Sequence, residues 1–172
     1  MAIASPDIRN YTIGKGSVHV RVSGETNFRH MGNCPEFEFT PEIEELEHFS
    51  SMTGVKSVDR TEVLSRKGTL RIVFEEMTAE NLAIALLGDI TTQSDGDQEI
   101  EIFSTSAKRC EFKFVGNNDI GPKYEWYFRQ VDIIPSSGIQ LLSEEWMQVE
   151  MSGKVAAVNG SFGTATKIAD GE

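Results

Sequence analysis

The chain has 172 residues, with 16 Lys and Arg against 27 Asp and Glu and a formal net charge of −11. One domain with its own core is the expected organisation at this length. The acidic balance argues against a protein that grips nucleic-acid phosphates or an anionic membrane surface, since both need clustered Lys and Arg. Two cysteines, Cys34 and Cys110, with no CxxC pair, argue against a disulfide scaffold or a zinc ribbon.

The opening residues 1–10 lack a basic patch followed by an apolar stretch, so no secretory signal is expected. The chain then alternates with period two. Val18, Val20 and Val22 are interleaved with His19 and Arg21. The same pattern runs through Phe37 and Phe39, through Leu70, Ile72 and Phe74, through Cys110, Phe112 and Phe114, through Tyr124, Trp126 and Phe128, and through Met147, Val149 and Met151. One apolar and one polar face is the signature of half-buried antiparallel strands. Six such segments separated by Gly, Asn, Asp and Pro predict a mainly β fold, an antiparallel β-sandwich or small barrel.

Residues 40–50 fit two readings. Thr40-Pro41-Glu42 with Ile43, Leu46 and Phe49 fits a helix, while Phe37, Phe39, Pro41 and Ile43 continue a strand. Residues 49–68 hold few apolar positions and read as a long loop, a length more often functional than connective. One flanking helix is predicted over about 78–87. Thr78 caps it, Glu80 suits its positive end, Met77 and Leu82 form a hydrophobic staple, and Gly88 closes it. The apolar run 82–87 is far too short to span a bilayer. Asp95-Gly96-Asp97 lacks the ligand spacing of a calcium loop and reads as an acidic hairpin turn. Residues 1–158 are expected to form the domain, and the small, polar, Gly-rich 159–172 a flexible C-terminal tail.

Catalytic signatures are missing. There is no GxGxxG, Walker A, HExxH or GxSxG. His19, His30 and His48 match no metal spacing. Glu75-Glu76 and Glu144-Glu145 are adjacent in sequence, so on a strand they would point to opposite faces and form no acid/base dyad. The expectation is a chain that is not an enzyme and needs no cofactor or metal. The charge distribution says more. Glu36, Glu38, Glu42, Glu44, Glu45 and Glu47 fall in one stretch without Lys or Arg. Lys56, Arg60, Arg66, Lys67 and Arg71 follow with only Asp59 and Glu62 among them. Two such patches are either solvated faces or complementary surfaces between copies, and the second arrangement generates rings or fibres.

Several segments in order resemble the major tail tube protein of long-tailed, siphovirus-type bacteriophages. They are Asn10-Tyr11-Thr12-Ile13-Gly14-Lys15-Gly16, Met31-Gly32-Asn33-Cys34-Pro35-Glu36-Phe37, and Leu46-Glu47-His48-Phe49-Ser50-Ser51-Met52-Thr53-Gly54. The stretch 68–88 with its MTAENLAIALLG helix and the closing segments 129–135 and 146–153 complete the set. The resemblance covers most of residues 10–153. It implies a β-sandwich or small barrel with one helix, and it favours the extended reading of residues 36–46. It further implies six copies in a ring, rings stacked through the long loop, and a tube around a tape-measure protein through which DNA later passes. Itself, the tape-measure protein, the tail terminator and tail-tip proteins are the implied partners, with transient passage of DNA and no membrane binding. The virion tail is the implied location, with assembly in the host cytoplasm.

On this reading the interface residues are expected in the long loop and its flanks: Leu46, His48, Phe49, Met52, Val55, Lys56, Val58, Arg60, Arg66 and Lys67. The six glutamates Glu36 to Glu47 become candidates for an acidic lumen or ring surface. A negative lumen repels phosphate and lets DNA slide. Three other readings compete: the tube of a related injection or secretion machine, a small-ligand or carbohydrate-binding β domain resting on Tyr124, Trp126, Tyr127 and Phe128, and a hydrolase resting on scattered carboxylates.

Overall fold

Ten strands and one α-helix follow a short 3-10 turn at Ile8–Asn10 in a computed structural model that describes residues 6–52 and 54–169. In chain order they are β1 (Gly16–Val22), β2 (Arg29–His30), β3 (Glu36–Ser50), β4 (Ser57–Phe74), α1 (Ala79–Ala85), β5 (Asp89–Thr92), β6 (Gln98–Glu101), β7 (Arg109–Gly116), β8 (Tyr124–Pro135), β9 (Val149–Val155) and β10 (Gly163–Lys167). The fold is mainly β and antiparallel, as the alternation predicted. The six alternating segments lie in β1, β3, β4, β7, β8 and β9, except that Met147 of the last precedes β9.

Eight strands form one sheet in the order β2-β1-β7-β8-β9-β4-β3, with β10 also on β8. The sheet does not close into a barrel, because β2 and β3 remain its two edges. It does curl. The ring of Phe37 on edge strand β3 lies 5.9 Å from Phe114 on β7, four strands away, and the ring of Phe39 lies 5.0 Å from Phe128 on β8. Inside the curl, Val18, Val20, Leu70, Ile72, Phe74, Phe112, Phe128 and Met151 form a contiguous buried core. A bulge in β8 adjusts the curl: Cys110 pairs with Val131 and Phe112 with Phe128, so the extra residue on β8 lets both Phe128 and Val131 turn inward.

The helix covers one end of the core. Thr78 Oγ1 accepts from the Asn81 backbone N–H at 3.2 Å, the predicted cap. The regular helix is shorter than 78–87, ending at Ala85. Its closure differs from the prediction in detail. The left-handed residue is Leu87 (φ 49), while the Gly88 N–H reaches back to the Ala83 carbonyl at 2.9 Å. Gly88 serves close packing, since a Cβ there would lie 2.6 Å from the Glu101 carbonyl oxygen on β6. The 95–97 segment is the hairpin turn between β5 and β6, as expected.

Two boundaries need correcting. Residues 49–68 are not a loop. Phe49 and Ser50 end β3, 57–68 belong to β4, and only 51–56 connect them. The sequence misleads because a strand that packs on nothing keeps no apolar alternation. Residues 163–167, expected in a flexible tail, form β10. It pairs with β8 from Gly163–Phe128 to Lys167–Tyr124. β9 and β10 both run antiparallel to β8, one beside its second half and one beside its first, with 156–162 bulging out between them.

Candidate functional site: an exposed two-stranded arm

β4 pairs with β9 only from Gly68 to Phe74, yet it pairs with β3 along almost its whole length. Beyond Gly68 the β3–β4 hairpin therefore leaves the sheet as a two-stranded arm. The nine residues from 42 to 50 give it a reach of about 30 Å at ~3.3 Å per residue. Gly68 marks the point of departure. A Cβ there would stand 2.7 Å from the Phe39 ring, which folds across it. Two bulges, leaving Leu64 and Asp59 as extra residues on β4, sharpen the twist of the arm.

No side chain on the arm from Glu44 to Ser65 is buried among the described residues. Ile43, Leu46, Phe49, Val58, Val63 and Leu64 are all exposed, and Met52 near the tip is 94% exposed. This is a large apolar surface on a ribbon with no described residue of the arm packed into a core. Every residue expected at an oligomer interface is on this arm: Leu46, His48 and Phe49 on β3, Met52, Val55 and Lys56 at the turn, and Val58, Arg60, Arg66 and Lys67 on β4.

The charges are partly neutralised within the arm. Glu44 accepts from Ser65 Oγ at 2.8 Å and lies 3.4 Å from Lys67 Nζ, and these hydrogen bonds hold its carboxyl below the usual range. Arg60 Nε donates to Glu62 at 2.7 Å, and the His48 ring meets Asp59 at 2.6 Å. The six glutamates do not share a face. Strand alternation puts Glu36, Glu38, Glu42 and Glu44 on the outer face, where Arg71 contacts Glu36 and reaches Glu150 at 2.6 Å. Glu45 and Glu47 fall on the other face, that of Phe37 and Phe39.

The aromatic strand Tyr124–Phe128 also divides. Phe128 is core. Trp126 lines a cavity of about 290 Å³ at the base of the arm, with Phe39, Pro41 and Phe162. Tyr127 faces the opposite side and donates to Glu111, which also holds Arg21 Nη2 at 2.7 Å. Burial alone would raise the Glu111 carboxyl, but the hydrogen bonds from Arg21 and Tyr127 outweigh it and hold it below the usual range. His19 and His30 are cross-strand neighbours with rings 5.0 Å apart. Burial lowers the His19 imidazole, helped by His30 and Lys113. Among the described residues no group of three or more His, Cys, Asp and Glu side chains could hold a metal ion.

Sequence reasoning missed two buried polar anchors. Asn81 donates to the Met31 and Glu76 carbonyls at 2.8 and 3.0 Å and accepts from Arg29 Nη1 at 2.6 Å. Asn118 donates to Thr12 and to the Ile120 and Gly121 carbonyls, pinning the N-terminal segment to the β7–β8 turn. Asparagines in short polar contexts carry no sequence signal that separates such anchors from surface residues.

A family model described as "Protein of unknown function UCP028589" matches residues 11–101. No curated protein matches the chain. Among solved structures, a chain of the tail of an empty GTA particle, refined helically with C6 symmetry, superposes with a TM-score of 0.51 at 12% identity. That match covers 90% of this chain and 96% of the other. A chain of the six-fold symmetrised anti-feeding prophage (AFP) baseplate superposes with a TM-score of 0.47 at 7% identity, covering 96% and 97%.

Proposed function

The chain belongs to the family described as "Protein of unknown function UCP028589", and we propose that it is a structural tail subunit that assembles with copies of itself into stacked rings of six. The rings form a tube that conducts DNA. The observation that carries this reading is the shared fold, end to end, with a chain of a C6-symmetric tail. The exposed arm supports it from within the molecule. A ribbon with no buried side chain among the described residues and with exposed Ile43, Leu46, Phe49 and Met52 is stable in water only as a compromise, and a neighbouring copy relieves it.

In this reading the arm residues, from Leu46 to Lys67, contact the next copy. The outer face of β3 with Glu38 and Glu42, which form no ion pair among the described residues, is the candidate lining of an acidic lumen that does not hold DNA. The tape-measure, terminator and tail-tip proteins are its expected partners, and the tail of a virion its location. The role is architectural, and no residue is assigned to catalysis. The test is sedimentation of the purified full chain over a range of concentrations, with negative-stain electron microscopy of the heavy fraction. Rings with a central hole or hollow tubes are expected. A chain that stays monomeric at high concentration and with tail-tip proteins added would overturn the proposal.

A further inference from the structure

The sheet leaves a second large apolar surface exposed, at the end opposite the arm. β8 ends at Pro135, which pairs with Met151, and β9 begins at Val149, which pairs with Phe74. Residues 136–148 connect these ends, and the Gln148 side chain ties the connection to Glu75 at 2.9 Å. The arm leaves past Gly68 and Val155, the other end of the same strands. Within the connection, Ile139 packs on the core, but Leu142 is 90% exposed, Trp146 is 92% exposed, and Leu141 is exposed beside them. A tryptophan in that state is rare on a monomer surface and common at the centre of interfaces.

The charges beside these two surfaces are opposite and unspent. Glu144 and Glu145 separate the leucines from Trp146, and neither forms an ion pair among the described residues. At the tip of the arm, Lys56 lies between exposed Met52 and Val58 and likewise forms none. An acidic apolar loop at one end and a basic apolar tip at the other are different patches of one chain. Their pairing is therefore head-to-tail, the kind of contact that closes into rings or propagates along an axis, whereas a self-complementary patch stops at a dimer.

We propose that the 136–148 connection is the receptor for the arm tip of a second copy, with Leu142 and Trp146 covering Met52 and Val58, and Glu144 and Glu145 facing Lys56. This rests on the self-assembly reading above and names the surface the arm meets.

Charge reversal and its rescue test it on the full chain, read as the concentration at which assemblies first sediment. Glu144→Lys with Glu145→Lys is expected to raise that concentration about tenfold, since exchanging attraction for repulsion at a half-shielded contact is a change of that order. Adding Lys56→Glu to the same chain is expected to recover most of the loss. Trp146→Ser is expected to raise it about thirtyfold or more, as for a central interface aromatic. Its melting temperature should stay unchanged, because the side chain touches no core. If wild type assembles and the reversals shift the threshold less than about twofold, or Lys56→Glu deepens the defect, the docking is wrong while self-assembly stands. A wild-type chain that never assembles overturns both.

Discussion

Excising the arm separates what holds the domain together from what joins it to its copies. Glu44 pairs with Ser65 and Ile43 with Arg66, so removing residues 44–65 and joining Ile43 to Arg66 through Asn-Gly leaves a hairpin with a two-residue turn. No side chain in the excised stretch is buried among the described residues, so the core loses no apolar contact. The change in stability should stay within about 1 kcal/mol. For a domain of this size that is a shift of about 2–4 °C in melting temperature. A control calibrates the scale. Phe112→Ala empties a site with 0% exposure at the centre of the core and should cost about 3–5 kcal/mol, or roughly 6–20 °C. Circular-dichroism melts of both variants read the stability, and sedimentation reads assembly. The excised chain should melt like wild type and stay monomeric. A fall as large as that of Phe112→Ala would refute the view that the arm stands outside the cooperative unit, and tubes built by the excised chain would refute its role between copies.

Three further outcomes follow from the packing. Asn81→Ala strands two backbone carbonyls and the guanidinium of Arg29, whose Nε and Nη2 are already buried without a partner, so a loss of about 3 kcal/mol is expected in urea or thermal unfolding. Glu111→Gln should destabilise the protein at neutral pH. The Glu111 carboxyl is held below its ordinary value in the folded state, so its contribution is present above the unfolded-state pKa and fades as pH falls through the lowered folded one. The melting temperatures of wild type and Glu111→Gln should draw together as the pH is lowered below the ordinary carboxylate range, and a constant gap would contradict the network. Burial pushes the Cys110 thiol up to about 12, and burial with Glu76 and Glu75 pushes Cys34 up to about 11. A thiol reagent at pH 8 should therefore modify neither at an appreciable rate until the chain is unfolded.

The parts of the fold legible in the sequence are those where one face of an element meets the core. Val18 and Val20, Leu70, Ile72 and Phe74, and Phe112 with Phe114 are spaced two apart because alternate residues are buried, and those strands appear as read. Thr78 announces the helix through a capping bond that depends only on its neighbours. The arm was legible as charge and length but not as strand. From Glu44 to Ser65 neither face is covered among the described residues, so the sequence is free of the period-two constraint, and only the pairing of β3 with β4 along their length makes it a ribbon. β10 escaped notice for a similar reason: Gly163-Thr164-Ala165-Thr166-Lys167 is small and polar, and its place is set by β8. Of the candidate site, the basic and apolar arm residues are expected from the resemblance and its long loop, and the structure places them on the arm. The exposed Leu142 and Trp146 are not expected, because an apolar residue in a sequence looks the same whether it is buried or bare.

The central claim is that this chain joins its copies head to tail into six-fold rings. Cryo-electron microscopy of the wild-type assembly tests it most directly. The account predicts a hollow helical tube with six subunits per ring, each arm crossing into a neighbouring subunit. Two-fold dimers joined through identical patches, or a tube whose arms touch no other subunit, would contradict it.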